Sequence, residues 1–345
     1  MMLKDIIKGE TAMAKYQVAF ILSLTWILIC VAQDDFPKPE DFNKKPQPIP
    51  QKQMETWVLK SKVIGKSVKN EKSETVGMAE VVLFDNKTYR MYYGASIQAG
   101  QTSINYAESK DAAKWTVKGA VLKGTASARD RENLISGPSV LKLPDGRFRM
   151  YYQSSPQQTP NMPPKYHVRS AISADGINFT REEGVRIDIV PYDNTSGLRL
   201  AGHGTYFIAA DGTYVVIFSG EFLNDKFGPS DLKIGFSKDG LQFSNFKTLY
   251  TDWHDPIVLK EKNGYRIYAT YMLEKQGTAF SEDGLTWPSE MTEVTFQDPS
   301  GKKLTEGNTG IGDIGGVIMA NGNIRLFTNY GGTYASTDIV YFDKK

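Results

Sequence analysis

Apolar and polar positions along most of this chain alternate in short β-type runs, broken by Gly, Asp and Asn turns. After residue 32 no apolar pattern of helical period lasts three turns, so the domain is expected to be all-β. The runs also repeat. Tyr89-Arg-Met-Tyr-Tyr93, Phe148-Arg-Met-Tyr-Tyr152, Tyr214-Val-Val-Ile-Phe218, Tyr265-Arg-Ile-Tyr-Ala269 and Ile324-Arg-Leu-Phe-Thr328 share one pattern. Each follows a turn of the Asp-Gly or Asn-Gly kind (Asp145-Gly146, Asp211-Gly212, Asn263-Gly264, Asn321-Gly322) or its variant Asp85-Asn86-Lys87. Such turns supply the positive φ that tight hairpins need. An apolar strand precedes each turn, as in Val140-Leu-Lys-Leu143 and Ile257-Val-Leu-Lys260.

A further phrase closes several units: Ile172-Ser-Ala-Asp-Gly-Ile-Asn-Phe179, Phe236-Ser-Lys-Asp-Gly-Leu-Gln-Phe243 and Phe280-Ser-Glu-Asp-Gly-Leu-Thr-Trp287, with a looser copy at Ala107–Trp115. Its Asp residues (Asp175, Asp239, Asp283) read as turn formers. Its final aromatic plugs the space between neighbouring sheets. Units of about 50 to 65 residues with three or four strands each predict a β-propeller, here with five blades. One blade cannot bury both of its faces, so the ring must close. Residues 56–64 are expected to supply the strand that completes the last blade.

Two stretches break the pattern. Val18–Ala32 is almost entirely apolar and is preceded by Lys15. It is too short for a comfortable membrane span but fits the apolar core of a signal peptide. Residues 1–32 are therefore read as a signal peptide, with 1–12 an extension ahead of a start at Met13, and no membrane span is expected in the mature chain. Residues 33–54 are Pro-rich and charged and read as a linker; the propeller domain is expected over 55–345. The single cysteine, Cys30, falls in the removed segment, so an exported protein is held together without disulfides.

Charge excludes some functions. There are 41 Lys and Arg against 39 Asp and Glu, a net of +2. That balance gives no footing for nucleic-acid binding. With only three histidines, a multi-histidine metal centre is not expected.

The repeat also locates candidate chemistry. In a propeller the first strand of each blade starts beside the central axis. With the turn glycines level, Gly137, His203, Asp255 and Asp313 fall at one position of blades two to five, and Met78 at that of blade one. Two residues further on lie Glu80, Ser139, Thr205, Ile257 and Gly315. Asp255, Asp313, Glu80 and His203 are thereby expected near one axis, with Glu221 and Arg131 at the rim. Carboxylates crowded in one pocket take different pKa values, as glycoside cleavage requires of its acid and its base. Asp255, Asp313, Glu80 and Glu221 are the candidate catalytic groups; His203, His254, Arg131 and Trp253 are the candidate substrate contacts.

The phrases Gly137-Pro-Ser-Val-Leu-Lys-Leu-Pro-Asp-Gly-Arg-Phe-Arg-Met-Tyr-Tyr152 and His254-Asp-Pro-Ile-Val258, with the Ser-x-Asp-Gly closures, resemble the five-bladed propeller glycosidases. This is the arabinanase, xylosidase, levansucrase and invertase group, with glycoside hydrolase family 43 the nearest name. The resemblance covers about residues 55–342 and implies an Asp base opening the first blade, an orienting Asp in a later blade and a Glu acid. Only Asp255, in His-Asp-Pro, matches residue by residue. Met78 stands at the first-blade position, and Glu221 is the provisional acid. The expectation is a secreted, monomeric glycosidase acting on a polysaccharide or oligosaccharide, with a non-catalytic carbohydrate-binding propeller as the alternative. No cofactor is required; a structural Ca²⁺ held through water by Asp255 and Asp313 is a weaker expectation.

Overall fold

A computed structural model describes residues 54–68, 73, 75–85, 87–98, 101–125, 131–156, 166–190, 195–225, 230–331 and 338–345. The expected signal peptide and all of the linker but Met54 lie outside the described residues. Among the described residues no helix is long and apolar enough to cross a membrane.

The domain is built of strands in runs of four. β1 spans Thr56–Gly65. The first unit is β2 (Thr75–Leu83), β3 (Tyr89–Gln98), β4 (Gln101–Ser109) and β5 (Thr116–Lys123). The second is β6 (Leu134–Lys142), β7 (Phe148–Ser155), β8 (His167–Ser173) and the short β9 (Thr180–Arg181). The third is β10 (Leu198–Ile208), β11 (Tyr214–Phe222), β12 (Asp231–Ser237) and β13 (Ser244–Tyr250). The fourth is β14 (Trp253–Glu261), β15 (Gly264–Tyr271), β16 (Lys275–Ser281) and β17 (Thr292–Gln297). A one-turn helix, α1 (Glu306–Thr309), precedes β18 (Gly315–Ile318), β19 (Ile324–Tyr330) and β20 (Asp338–Lys344).

Consecutive strands within a unit pair antiparallel. Residues 56–64 do complete the last unit, because β1 pairs with β20 from Trp57↔Lys344 onward. The same strand also pairs in parallel with β17, from Thr56↔Thr295 to Val58↔Gln297. The structure therefore has four hydrogen-bonded sheets, one of them eight-stranded, where the repeat predicts five separate ones. The difference lies in β1, whose two edges bond the fourth and last units into one ladder. The first strands of the units are neighbours in sequence around a closed cycle: β2 with β6, β6 with β10, β10 with β14, β14 with β18, and β18 with β2. Backbone contact at the closure is tight, for a Cβ at Gly315 would lie 1.8 Å from the Ala79 carbonyl oxygen.

This packing explains the sequence pattern. β7 lies between other strands on both faces, and all eight of its residues are buried. β5 lies at an outer edge and alternates. The closing phrases latch one unit onto another. Tyr92 and Arg90 of β3 donate to the Gly176 and Asp175 carbonyls, and Tyr151 and Arg149 of β7 donate to those of Gly240 and Asp239. Arg325 of β19 donates to the Asp111 carbonyl, carrying the device across the ring closure. The closing aromatics fill the gaps: Phe179 meets Tyr92 edge-on, Phe243 meets Tyr151, and Trp115 meets Phe327.

The latch predicts unequal costs for two glycine substitutions. Gly146 has φ 88° and open space around it, so Gly146→Ala should cost only backbone strain, about 1–2 kcal/mol. Gly240 has φ 71°, and its Cβ would lie 2.6 Å from the Tyr151 hydroxyl, so Gly240→Ala should cost about 1–3 kcal/mol more. Urea unfolding of both variants measures the difference; equal costs would contradict the latch.

Candidate active site

Each candidate residue is positioned by an irregularity at the start of a first strand. β2, β6, β10 and β14 all carry a one-residue bulge, between Gly77 and Glu80, Ser136 and Ser139, Ala201 and Gly204, and His254 and Ile257. Met78 (φ 53°), Gly137 (φ 57°) and Asp255 (φ 53°) sit in these bulges in left-handed backbone, and Asp313 (φ 47°) does so just before β18. In β10 the bulge lies one residue earlier, across Gly202 and His203. A bulge re-aims a side chain out of the alternating pattern of its strand, here toward the centre of the cycle.

Three of these side chains meet. His203 is 7% exposed, and its Nδ1 lies 3.7 Å from Asp255 Oδ1 and 3.5 Å from Asp313 Oδ1. Both distances exceed a hydrogen bond, and Nδ1 makes none. The outer oxygens of the two carboxylates are held from behind. Asp255 Oδ2 is 2.8 Å from His254 Nδ1, and Asp313 Oδ2 accepts from Asn329 Nδ2. Asn329 Oδ1 in turn accepts the Met78 amide at 3.0 Å. Ser219 of β11 accepts the Asp255 amide at 2.8 Å.

A third carboxyl group joins from outside the repeat. Glu306 opens α1, where Thr305 caps the helix and left-handed Gly310 ends it. Its Oε2 lies 3.7 Å from His254 Nε2 and makes no hydrogen bond. One ligating atom each from His254, Asp255 and Glu306 lies within 4.8 Å of the others, as do those of His203, Asp255 and Asp313. The two groups share Asp255.

Burial and mutual charge divide the protonation states. Burial pushes Glu306 up, and the Asp255 and Asp313 charges add to this against His254, bringing it to about 8. Burial and the Asp255 charge also raise Asp313. Burial would raise Asp255 too, but the imidazoliums of His254 and His203 hold it well below the usual carboxylate range. Burial works against both histidine cations; the surrounding carboxylates nonetheless lift His203 to about 10 and His254 to about 9. At neutral pH the centre holds an ionised Asp255 beside a protonated Glu306, with cations between them.

The other predicted residues lie elsewhere. Glu80 is a seam residue. Its Oε1 accepts the Val140 amide of β6, as Ser139 accepts Tyr206 from β10 and Thr205 accepts Val258 from β14. Burial raises it to about 7, and it senses the His203 charge. Glu221 is ion-paired at 2.5 Å with Arg199. Arg131 is paired with Asp188 at 3.0 Å. Trp253 is buried edge-on to Tyr271 and over Gly277, which is core packing rather than an open sugar platform. Sequence reading missed Glu306 and Asn329. Glu306 lies in an insertion with no counterpart in the other units; its only local mark is the Thr305-x-x-Asn308 cap. Asn329 lies on a second strand, outside the register used.

The donor set does not suit Ca²⁺, which takes six to eight oxygens. The only inward oxygens of Asp255 and Asp313 face His203 Nδ1, and their other oxygens are taken by His254 and Asn329.

No protein-family model matches the sequence, and no curated protein does. Solved structures do match. A family 117 glycoside hydrolase produced by the marine bacterium Zobellia galactanivorans is 12% identical, over 84% of this chain and 90% of that one, with a TM-score of 0.61. An exo-β-1,3-galactanase from Clostridium thermocellum is 15% identical, over 82% of this chain and 61% of that one, also at 0.61. A thermostable family-43 glycoside hydrolase is 15% identical, over 78% and 89%, at 0.54. The chain has the propeller fold of these glycoside hydrolases. The clustered residues sit at the first strands of the third, fourth and last units, and Glu306 comes from the connection between the last two.

The centre predicts how stability responds to pH. Each histidine is raised above its ordinary 6.5 by folding. Its stabilisation is complete below about 6.5 and is lost as pH rises through about 9 to 10. The raised Glu80 and Glu306 act in the same direction, since folding resists their ionisation. The thermal midpoint should therefore fall steadily from pH 6 to pH 9. A midpoint that is flat or rising over that range, measured by calorimetry, would contradict these ion pairs.

Proposed function

We propose that this protein is a secreted, five-bladed propeller glycoside hydrolase that cleaves a polysaccharide or oligosaccharide by general acid–base catalysis. The observation that carries the reading is that Asp255 and Glu306 lie on the two sides of one imidazole, at 2.8 and 3.7 Å, where the histidine charges lower the first carboxyl and burial raises the second. The propeller fold shared with glycoside hydrolases supports it, and the apolar run before residue 33 supports export.

The chemistry follows from the two proton states. Glu306 donates its proton to the glycosidic oxygen as the bond to the anomeric carbon breaks. Asp255, with an oxygen within 4.8 Å of one on Glu306, stands at the close spacing of retaining enzymes: it adds to that carbon, and Glu306, now ionised, takes a proton from the water whose oxygen then displaces it. Asp313 and His203 hold the charge balance around Asp255 as positive charge builds on the sugar ring. Each proton transfer is worth about 10²–10⁴ in rate.

A panel of chromogenic glycosides and polysaccharides tests this. Turnover is expected, with kcat/KM falling as pH rises through about 8, where Glu306 loses its proton. Asp255→Asn should lose about 10³-fold or more while remaining folded. Glu306→Gln should lose much less on substrates with acidic phenol leaving groups, which need no proton, than on natural sugars. Undiminished turnover in Asp255→Asn, or glycan binding with no product over days, would overturn the reading.

A further inference from the structure

His254 lies next to Asp255 in the sequence, and a sugar contact is the role its position first suggests. Its surroundings give it a different task. Nδ1 faces Asp255 Oδ2 at 2.8 Å, and Nε2 faces the Met272 carbonyl at 2.6 Å. An ionised carboxylate and a backbone carbonyl accept hydrogen bonds and donate none. The Met272 carbonyl requires a proton on Nε2, and with Asp255 ionised by its charged surroundings Nδ1 carries one too, which makes the ring an imidazolium.

The turn that receives it also carries the Glu306 helix. Met272 is left-handed (φ 47°), and its amide donates to the Asp252 carbonyl, which fixes the turn against the start of β14. The Met272 carbonyl takes His254 Nε2, and the next carbonyl, Leu273, takes the Gly307 amide of α1 at 2.8 Å. Two consecutive carbonyls thus set the imidazole and the helix side by side, with Nε2 3.7 Å from Glu306 Oε2. The side chain of His254 is 12% exposed, with both polar atoms occupied.

We propose that His254 is a positioning residue, an imidazolium clamped between Asp255 and the Glu306 helix that orients both carboxyl groups and does not itself touch sugar. The inference rests on the glycosidase reading for its kinetic consequences, but its protonation and contacts are independent of that reading. The charged groups facing the ring are Asp255 on its own strand, Glu306 on α1 and Asp313 ahead of β18, all acidic. Removing the cation therefore makes Asp255 and Glu306 harder to ionise together, and both limbs of a bell-shaped rate profile move the same way.

Two experiments test it. In the wild-type protein, ¹⁵N imidazole spectra at pH 7 resolve only three rings, from His167, His203 and His254. The signal absent from His254→Gln should show both nitrogens protonated; a neutral tautomer there would overturn the proposal whether or not the protein is active. In kinetics, His254→Gln should lower kcat with KM within twofold, and shift both limbs of the profile upward by about one pH unit. A raised KM with an unmoved profile marks a sugar contact and would overturn the proposal, as would wild-type kinetics. Absence of turnover on every glycoside would sink the glycosidase reading and leave the spectra to decide His254.

Discussion

Backbone strain at the starts of the first strands is the constraint on which the centre depends. Met78, Asp255 and Asp313 adopt left-handed φ, which costs a non-glycine residue about 1–2 kcal/mol. A straight strand would send alternate side chains to its two faces and leave the axis to whatever the period dictated. A bulge breaks that period in β2, β6, β10 and β14. Asp tolerates this backbone better than most residues because its short side chain bonds locally. The Asp255 carboxylate bonds its neighbour His254, and residues from other strands hold the rest, Ser219 donating to Asp255 and Asn329 to Asp313.

The strain persists because the ring over-determines it. β2, β6 and β10 are each fixed to the next first strand by side-chain to backbone bonds from Glu80, Ser139 and Thr205, and the turns at Asp175 and Asp239 are latched onto a neighbouring unit by Arg and Tyr pairs. β1 then bonds the last two sheets into one. In such a frame a strand cannot relax its bulge without breaking the seams on both sides. A rigid frame of this kind holds carboxyl groups close despite their repulsion; burial, which raises Glu306, and the His254 and His203 charges, which lower Asp255, separate the two in proton affinity.

The fold was largely legible because it repeats. Hairpins in register point to the four-stranded units, the closing strand and the meeting of His203, Asp255 and Asp313, since equivalent residues in a ring approach a common axis, but not to the joining of the last two units into one sheet through β1. The register failed where a residue served the ring instead of the axis. Glu80 looks like a site residue by position, but Ser139 and Thr205 do the same seam work at that position in the next blades. Glu221 and Arg131 sit near the rim in sequence but are each neutralised by a partner, Arg199 and Asp188, that pairing patterns do not reveal. Glu306 was invisible because α1 belongs to no repeat. Its importance comes from the Met272–Leu273 turn on which it rests, a contact across more than thirty residues.

The proposed mechanism thus joins a repeated scaffold to one non-repeated addition: the ring supplies ionised Asp255 and its cations, and the inserted helix supplies the proton. A crystal structure of the Asp255→Asn variant soaked with an oligosaccharide that the wild type cleaves tests this most directly. The account predicts a sugar seated on the axis, with its glycosidic oxygen within hydrogen-bond reach of a Glu306 oxygen and its anomeric carbon facing residue 255. A sugar bound away from both, or a glycosidic oxygen met by some other acid, would contradict it.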